Sequence, residues 1–281
     1  MALQGMLVED FSVLMKAKTL AHFVEWKKVS DAEFESTLCD VCSWGVTDIV
    51  AHPIWGLRNQ REKGHLEKVA RMLAAAGLRS PACHAFWGAQ FDLALADEPR
   101  RRQAMLEHCD FLRRLAPMKV QTYTLHLGIE ENCDIDLAWR QIRKSVDELL
   151  PSAEANSIIL ALENGSESIA DIRRLADLVK EYDHPQLGIC FDTGHANCYT
   201  EIGLLPTLEL LKPAVVTTHL HDNHGTFDDH NPPGNGSINW NKLLPVLKSC
   251  PRLLHAETES GDWSKEAWQK FRQVWAGLPG D

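Results

Sequence analysis

Residues 187–195 read LGICFDTGH. The run is apolar through Phe191 and then meets Asp192 and a Thr-Gly turn. A short apolar run that stops at turn residues reads as a strand buried on both faces, as in a parallel sheet. The same texture recurs on both sides, in SIILALENG (157–165) and AVVTTHLHD (214–222). Further out it appears in VTDIVAHP (46–53), LRSPACHAF (78–86), VQTYTLHLG (120–128) and RLLHAETES (252–260). Amphipathic stretches with helical spacing separate these runs. EKGHLEKVARMLAAAG ends on Gly77, a C′ stop, and SIADIRRLADLVKEY opens on Ser168 three residues before Asp171, a loose capping box. Alternating strand and helix implies right-handed βαβ units around a parallel sheet.

Seven such strands follow residue 45. An eighth is expected near TLAHFVEW (19–26), ahead of a helix in SDAEFESTLCDVCSW. Eight βα units in 281 residues predict one (β/α)8 TIM barrel, with residues 1–281 as a single domain. The rival, a doubly wound open sheet, would be expected to carry G-x-G-x-x-G or G-x-x-x-x-G-K after an early strand, and neither is present. No linker rich in Pro, Gly or Ser divides the chain.

Composition narrows the class. Apolar residues are 44% and charged residues 24%, which is globular usage and rules out a disordered chain. The net charge of −10 argues against a basic protein that coats nucleic acid, and leaves open a DNA enzyme with a local basic groove. No apolar run approaches the ~20 residues of a membrane span, so no membrane partner is expected. The start, MALQGMLVEDFSVLMKAK, contains Glu9 and Asp10 and lacks a basic region followed by a clean apolar core. No secretory signal is expected there. Eight cysteines, with Cys39 and Cys42 as one isolated C-x-x-C, fit reduced thiols in a cytoplasmic protein, and Cys83 and Cys190 read as core fillers.

Each strand ends in a side chain that can bind metal. In order these are His52, His84, His126, Glu163, Asp192, His219 and Glu257. In a barrel the strand ends converge on one mouth, where active sites are built. His, Asp and Glu together are the ligand set of Zn²⁺, Mn²⁺ or Fe²⁺. Apolar runs do not normally end in an imidazole or a carboxylate unless a site requires it, because an unpaired buried charge is costly. Two loops thicken the cluster. His195 lies three residues after Asp192, and Asp228 and His230 share one side of an extended segment in DNHGTFDDHNPPGNGS (222–237). Trp55 after His52 and Trp87 after His84 offer flat apolar faces suited to a ring-shaped ligand.

The motifs LEN (162–164), FDTGH (191–195), HLHDN (219–223), D-x-H followed by PPGNGSINW (228–240) and AET (256–258) resemble the xylose-isomerase-like barrel superfamily. That superfamily holds sugar isomerases and epimerases together with abasic-site repair enzymes of the endonuclease IV type. The resemblance spans roughly residues 45–260. It implies a shared metal site of Glu163, Asp192, His219 and Glu257. His221 competes with His219, and Glu259 with Glu257, if the register differs by one alternate position. The endonuclease IV branch binds three zinc ions, and its further ligands have counterparts in His84, His126, His195, Asp228 and His230. The resemblance therefore implies one to three divalent ions, Zn²⁺ or Mn²⁺. A second would lie near His84, His126 and Glu163, and a third near His195, Asp228 and His230. Other features depart from the repair enzymes. HLG (126–128) stands where they resemble HPG, Gly194 stands where they have Cys, and Arg/Lys-rich insertions for gripping DNA are missing.

The implied activity is a metal-dependent isomerase or epimerase of a sugar or related polyhydroxy carbonyl compound, acting by enediolate-type proton transfer. Glu163 and Glu257 would carry protons on opposite sides of the reacting carbon. His195 would position or polarise a hydroxyl, and Trp55, Trp87 and His221 would contact substrate. The alternative is an endonuclease IV-like phosphodiesterase acting at abasic sites in DNA. A lyase or dehydratase is a third reading, and a non-catalytic sugar-binding module a fourth.

Overall fold

The structure is a computed structural model and describes residues 18–130, 132–165 and 168–277. The expectation about a leader falls on residues 1–17, outside the described residues. Eight parallel strands pair in chain order: β1 (Thr19–His22), β2 (Asp48–Ala51), β3 (Arg79–His84), β4 (Thr122–Leu125), β5 (Ile159–Glu163), β6 (Leu187–Asp192), β7 (Val215–Leu220) and β8 (His255–Thr258). β8 pairs back onto β1 and closes the barrel, which is the (β/α)8 architecture. The helices around it are α1 (Phe34–Ser43), α2 (Pro53–Arg61), α3 (His65–Ala75), α4 (Glu98–Arg114), α5 (Ile135–Ala155), α6 (Ile169–Tyr182), α7 (Thr193–Cys198), α8 (Leu204–Leu211), α9 (Trp240–Lys248) and α10 (Lys265–Ala276). None is long and apolar enough to cross a membrane.

Local chemistry explains the boundaries. Gly77 follows α3 at φ +76°, the left-handed stop expected of it. Ser168 caps α6 by accepting from the Asp171 amide. Its hydroxyl also donates to the Asp171 carboxylate at 2.6 Å, which replaces the reach-back bond of a full capping box. The first strand is shorter than expected. Pairing ends at His22, and the chain turns so that Trp26 packs on Phe34 and Trp55, with ring centroids 4.8 and 5.3 Å apart.

The register sets which side chains meet at the mouth. His84 pairs with Thr124, two residues short of His126. Leu125 pairs with Leu162, so His126 lies beside Glu163. Glu163 pairs with Cys190, two short of Asp192, and Asp192 pairs with His219. His219 pairs with Glu257, two short of Glu259. The register thus advances two residues at every second strand pair, as strand tilt in a closed barrel demands. One level around the mouth passes through His84, His126, Glu163, Asp192, His219 and Glu259.

Two buried histidines outside this ring are expected to make the fold acid-sensitive. His108 donates from Nε2 to the Phe91 carbonyl and accepts at Nδ1 from the Tyr123 hydroxyl, both at 2.9 Å. His22 bonds likewise to the Trp263 carbonyl and the Thr258 hydroxyl. Burial pushes both imidazoles down to about 4, from 6.5. Both are neutral in the fold, so between pH 6.5 and 4 the unfolded chain binds more protons. Stability is expected to fall as pH drops through that window, by ~2–3 kcal/mol per histidine at pH 4. Urea midpoints measured across it should decline less steeply for His108→Gln than for the parent; equal slopes would remove His108 from the explanation.

Candidate metal centre

Asp192 both ends β6 and starts α7. Its Oδ1 accepts from the His195 amide at 2.7 Å, which caps the helix and turns His195 back over the mouth. Asn164 fixes this turn. Its side chain accepts from the Asp192 amide at 2.9 Å and donates to the Asp192 carbonyl at 3.1 Å. Its own carbonyl takes the His195 Nδ1 proton at 2.9 Å. The His195 Nε2 is left facing the Asp228 Oδ2 at 3.3 Å.

The loop after β7 is shaped around Asp222, which is fully buried. Asp222 accepts from the amides of Asn223, Gly234 and Ile238 and from the Trp240 indole. A Cβ on Gly236 would lie 2.3 Å from the Asp222 Oδ1, so this turn admits only glycine. The loop delivers His230 at φ +50°, with Nδ1 donating to the Glu259 carbonyl and Nε2 2.7 Å from the Asp228 Oδ2.

Three sets of side chains bring ligand atoms within 4.8 Å of one another around the mouth: Glu163, Asp192, His219 and Glu259; His84, His126 and Glu163; and His195, Asp228 and His230. Two more sets interleave with them, His84, His219 and Glu259, and His221, His230 and Glu259. The His219 Nδ1 lies 2.9 Å from the Glu163 Oε1 and 2.8 Å from the Glu259 Oε2. The donor set suits a divalent ion. Among the described residues, the Asp228 Oδ1 and the His221 Nδ1 are buried with no hydrogen-bond partner. Buried lone pairs of that kind are rarely left unmatched in folded proteins, and a bound cation would satisfy them.

The electrostatics follow from burial set against opposite charge. Burial would raise the Glu163 carboxyl, but His219 and His126 outweigh it and hold it well below the usual carboxylate range. Burial would lower the His195 imidazole, and Asp192 and Asp228 overturn it and raise it well above its ordinary value. His230, half-buried and bonded to Asp228, is pushed up to about 9. Burial, with His126 adding to it, brings His84 down to about 4.

The expected ring of strand ends differs at two positions, His52 and Glu257. Glu259, not Glu257, reaches the level of His219. Glu257 lies one step deeper, where its Oε1 accepts from the Thr217 hydroxyl at 2.6 Å. His219 faces the carboxylates of the ring through Nδ1, while His221 is buried beneath His230, with stacked rings 4.1 Å apart, and reaches both Asp192 oxygens at 3.0 Å. The placement of His221 against substrate is therefore not what the geometry shows. Trp55 is likewise absent from the mouth: it is fully buried on Trp26 and Phe34. Packing in the hydrophobic core, rather than ligand contact, accounts for it. His52 caps α2 and bonds to Glu25. Trp87 does line the cleft beside the ring, which has a volume of about 320 Å³ and includes Phe23, Glu25, His84, His126, His230 and Glu259. Sequence reasoning missed Glu25, Asn164 and the full role of Asp222; the Asn of LEN and the Asp of HLHD were the signals for the last two.

These features coincide with a known family. The pattern of xylose isomerase-like TIM barrels matches residues 44–276, and the chain belongs to that family. The protein y4fM of Sinorhizobium fredii is 24% identical over 254 residues, 82% of this chain and 81% of its own. A probable endonuclease 4 of Mycoplasma mobile is 24% identical over 164 residues, 51% of this chain and 58% of its own. Among solved structures, a D-tagatose 3-epimerase-like protein superimposes with a TM-score of 0.77 at 18% identity, over 93% of this chain and 98% of that one. The IOLI protein with a bound zinc atom gives 0.73 at 16% identity, over 94% and 100%.

Proposed function

We propose that the protein is a divalent-metal-dependent isomerase or epimerase of a sugar or related polyhydroxy carbonyl compound. The observation that carries this reading is the convergence of two carboxylates, Glu163 and Glu259, on His219 Nδ1 at 2.9 and 2.8 Å beside a small cleft. Glu163, Asp192, His219 and Glu259 would hold the ion; bound there, it supplies Lewis-acid polarisation of a substrate carbonyl and its neighbouring hydroxyl. Of the two glutamates, one takes the proton from the carbon and the other returns one. Glu163, whose Oε1 lies 2.9 Å from the His219 Nδ1, is placed as one of these two proton carriers and Glu259 as the other. Trp87 offers an aromatic wall for the C–H face of a sugar ring, and His126, 3.1 Å from the Glu163 Oε2, steadies that carboxylate. A cleft of about 320 Å³ suits a small molecule. The likeness to a D-tagatose 3-epimerase-like fold supports a ketose as the first substrate class to test.

The second reading is a phosphodiesterase of the endonuclease IV type. The three interlocked ligand sets and the partial match to a probable endonuclease 4 favour it. The charge of −10 disfavours it.

One experiment separates the two. Metal-replete protein is incubated in D₂O with a panel of ketoses and, separately, with an oligonucleotide bearing an abasic site. Deuterium is expected at the carbon next to the ketose carbonyl, with the DNA intact. Strand nicking with no deuterium in any sugar would transfer the assignment to the second reading. His219→Ala is expected to lower the bound metal, measured by elemental analysis of the same preparations.

A further inference from the structure

Beyond the end of β1 at His22 the side chains alternate. Val24 and Trp26 are fully buried in the core, while Phe23 and Glu25 line the cleft beside the ring. The cleft therefore has two ends. His84, His126, His230 and Glu259 form one, and the segment after β1 forms the other. Trp87 stands between them, with its ring 4.9 Å from His84 and 5.3 Å from His52. Glu25 belongs to none of the sets of described residues that could hold an ion.

Glu25 is fixed at that second end by two donors. The His52 Nδ1 accepts from the Ile54 amide at 3.1 Å, so the ring proton sits on Nε2 and is donated to the Glu25 Oε1, also at 3.1 Å. The His52 ring is buried, with Phe23 at 5.7 Å and Trp87 against it, and cannot swing away. The Glu25 Oε2 takes the ammonium of half-exposed Lys27 at 3.2 Å, and that ammonium also lies 5.5 Å from the centre of the Trp87 ring. Burial would raise the Glu25 carboxyl, but His52 and Lys27 outweigh it and bring it below its ordinary value. A carboxylate offers about four lone-pair sites, and these donors use two. The others remain for a molecule in the cleft.

We propose that Glu25 is a specificity-determining residue: it accepts hydroxyl groups at the end of the substrate remote from the reacting carbon, and so selects an uncharged polyol chain over one ending in phosphate or carboxylate. His52 positions it, and Phe23 and Trp87 cover the C–H faces of the same chain. An anionic end group would set a second negative charge against a carboxylate in a site of low dielectric, and among the described lining residues none is Lys or Arg to offset it. The inference rests on the reading that the cleft takes a polyhydroxy carbonyl substrate, and deepens it by naming the kind of end group.

The test uses binding as well as turnover. Metal-replete parent, Glu25→Gln and Lys27→Ala are titrated calorimetrically with a panel of hexitols, which carry no carbonyl to react, and with the corresponding hexitol 6-phosphates. Thermal midpoints are recorded on the same samples. The parent is expected to bind at least one hexitol, and to bind it at least ~10-fold more tightly than its 6-phosphate. Glu25→Gln keeps the shape of the side chain and is expected to lose ~10–100-fold in hexitol affinity, the scale of hydrogen bonds to a charged group, and to narrow the gap to the phosphate. Lys27→Ala is expected to leave hexitol affinity within a few fold, because Lys27 is not part of the lining. With the ketoses of the exchange experiment, Glu25→Gln should raise KM by the same factor while kcat stays within a few fold. Hexitol affinity kept in Glu25→Gln, an equal loss in Lys27→Ala, a parent that prefers the 6-phosphates, or one that binds no hexitol would each overturn the inference, and ketose exchange by that parent would leave the function reading standing. Glu25-dependent hexitol binding by a parent that exchanges no ketose proton would remove the proposed reaction and keep the subsite.

Discussion

Glu259→Gln is expected to lower carbon-proton exchange by about 10²–10⁴-fold, the usual scale for removing a general acid or base. Glu257→Gln is expected to leave exchange within a few fold. The two glutamates lie two residues apart on one face of the last strand, but only Glu259 comes within 2.8 Å of the His219 Nδ1. Glu257 instead accepts the Thr217 hydroxyl inside the barrel. Its substitution should therefore appear as lost stability, about 1–3 kcal/mol for a disturbed buried hydrogen bond. Glu259 is also proposed as a ligand, so bound metal has to be measured on each sample. Exchange that collapses in Glu257→Gln at full metal occupancy, and survives in Glu259→Gln, would move the reacting carboxylate one step down the strand.

Asp222→Ala is expected to cost about 3–5 kcal/mol, among the larger effects a single substitution produces. Four donors converge on this carboxylate: the amides of Asn223, Gly234 and Ile238 and the Trp240 indole, at 2.9–3.1 Å. Removing the acceptor leaves the Asn223 and Ile238 amides and the Trp240 indole unpaired in a buried place, at about 1–3 kcal/mol each before the loop relaxes, while the exposed Gly234 amide can turn to water. The relaxation itself has a consequence. This loop carries Asp228 and His230, so the variant should lose metal from that side of the mouth even where it remains folded. Urea unfolding of Asp222→Ala beside the parent checks the first part and zinc content the second. A stability loss under ~1 kcal/mol would mean that the loop is held by something other than Asp222.

Much of the architecture is legible in the chain. Apolar runs alternating with amphipathic stretches imply a parallel sheet wherever they occur, and eight of them close a barrel. The strand ends alone put Glu163, Asp192 and His219 in one ring, because a polar group at the end of a buried strand has few other reasons to be there. The loop residues Asp228 and His230 are legible from their spacing. Trp55 is misleading. Three residues beyond a strand-end histidine, it looks like a mouth residue, but α2 begins at Pro53 and turns the indole outward onto Trp26. Local sequence does not say which way the first turn of a helix faces.

The sequence by itself determined the barrel, the end of it at which the His, Asp and Glu side chains gather, and the types of those side chains. It left pairs two residues apart undivided, because a strand repeats every two residues and Glu257 and Glu259, like His219 and His221, share one face. Only the closed barrel decided between them. Strand tilt advances the register by two at Glu163–Asp192 and again at His219–Glu259, and holds it level between Asp192 and His219. That stagger belongs to the whole ring of strands and is written in none of them alone.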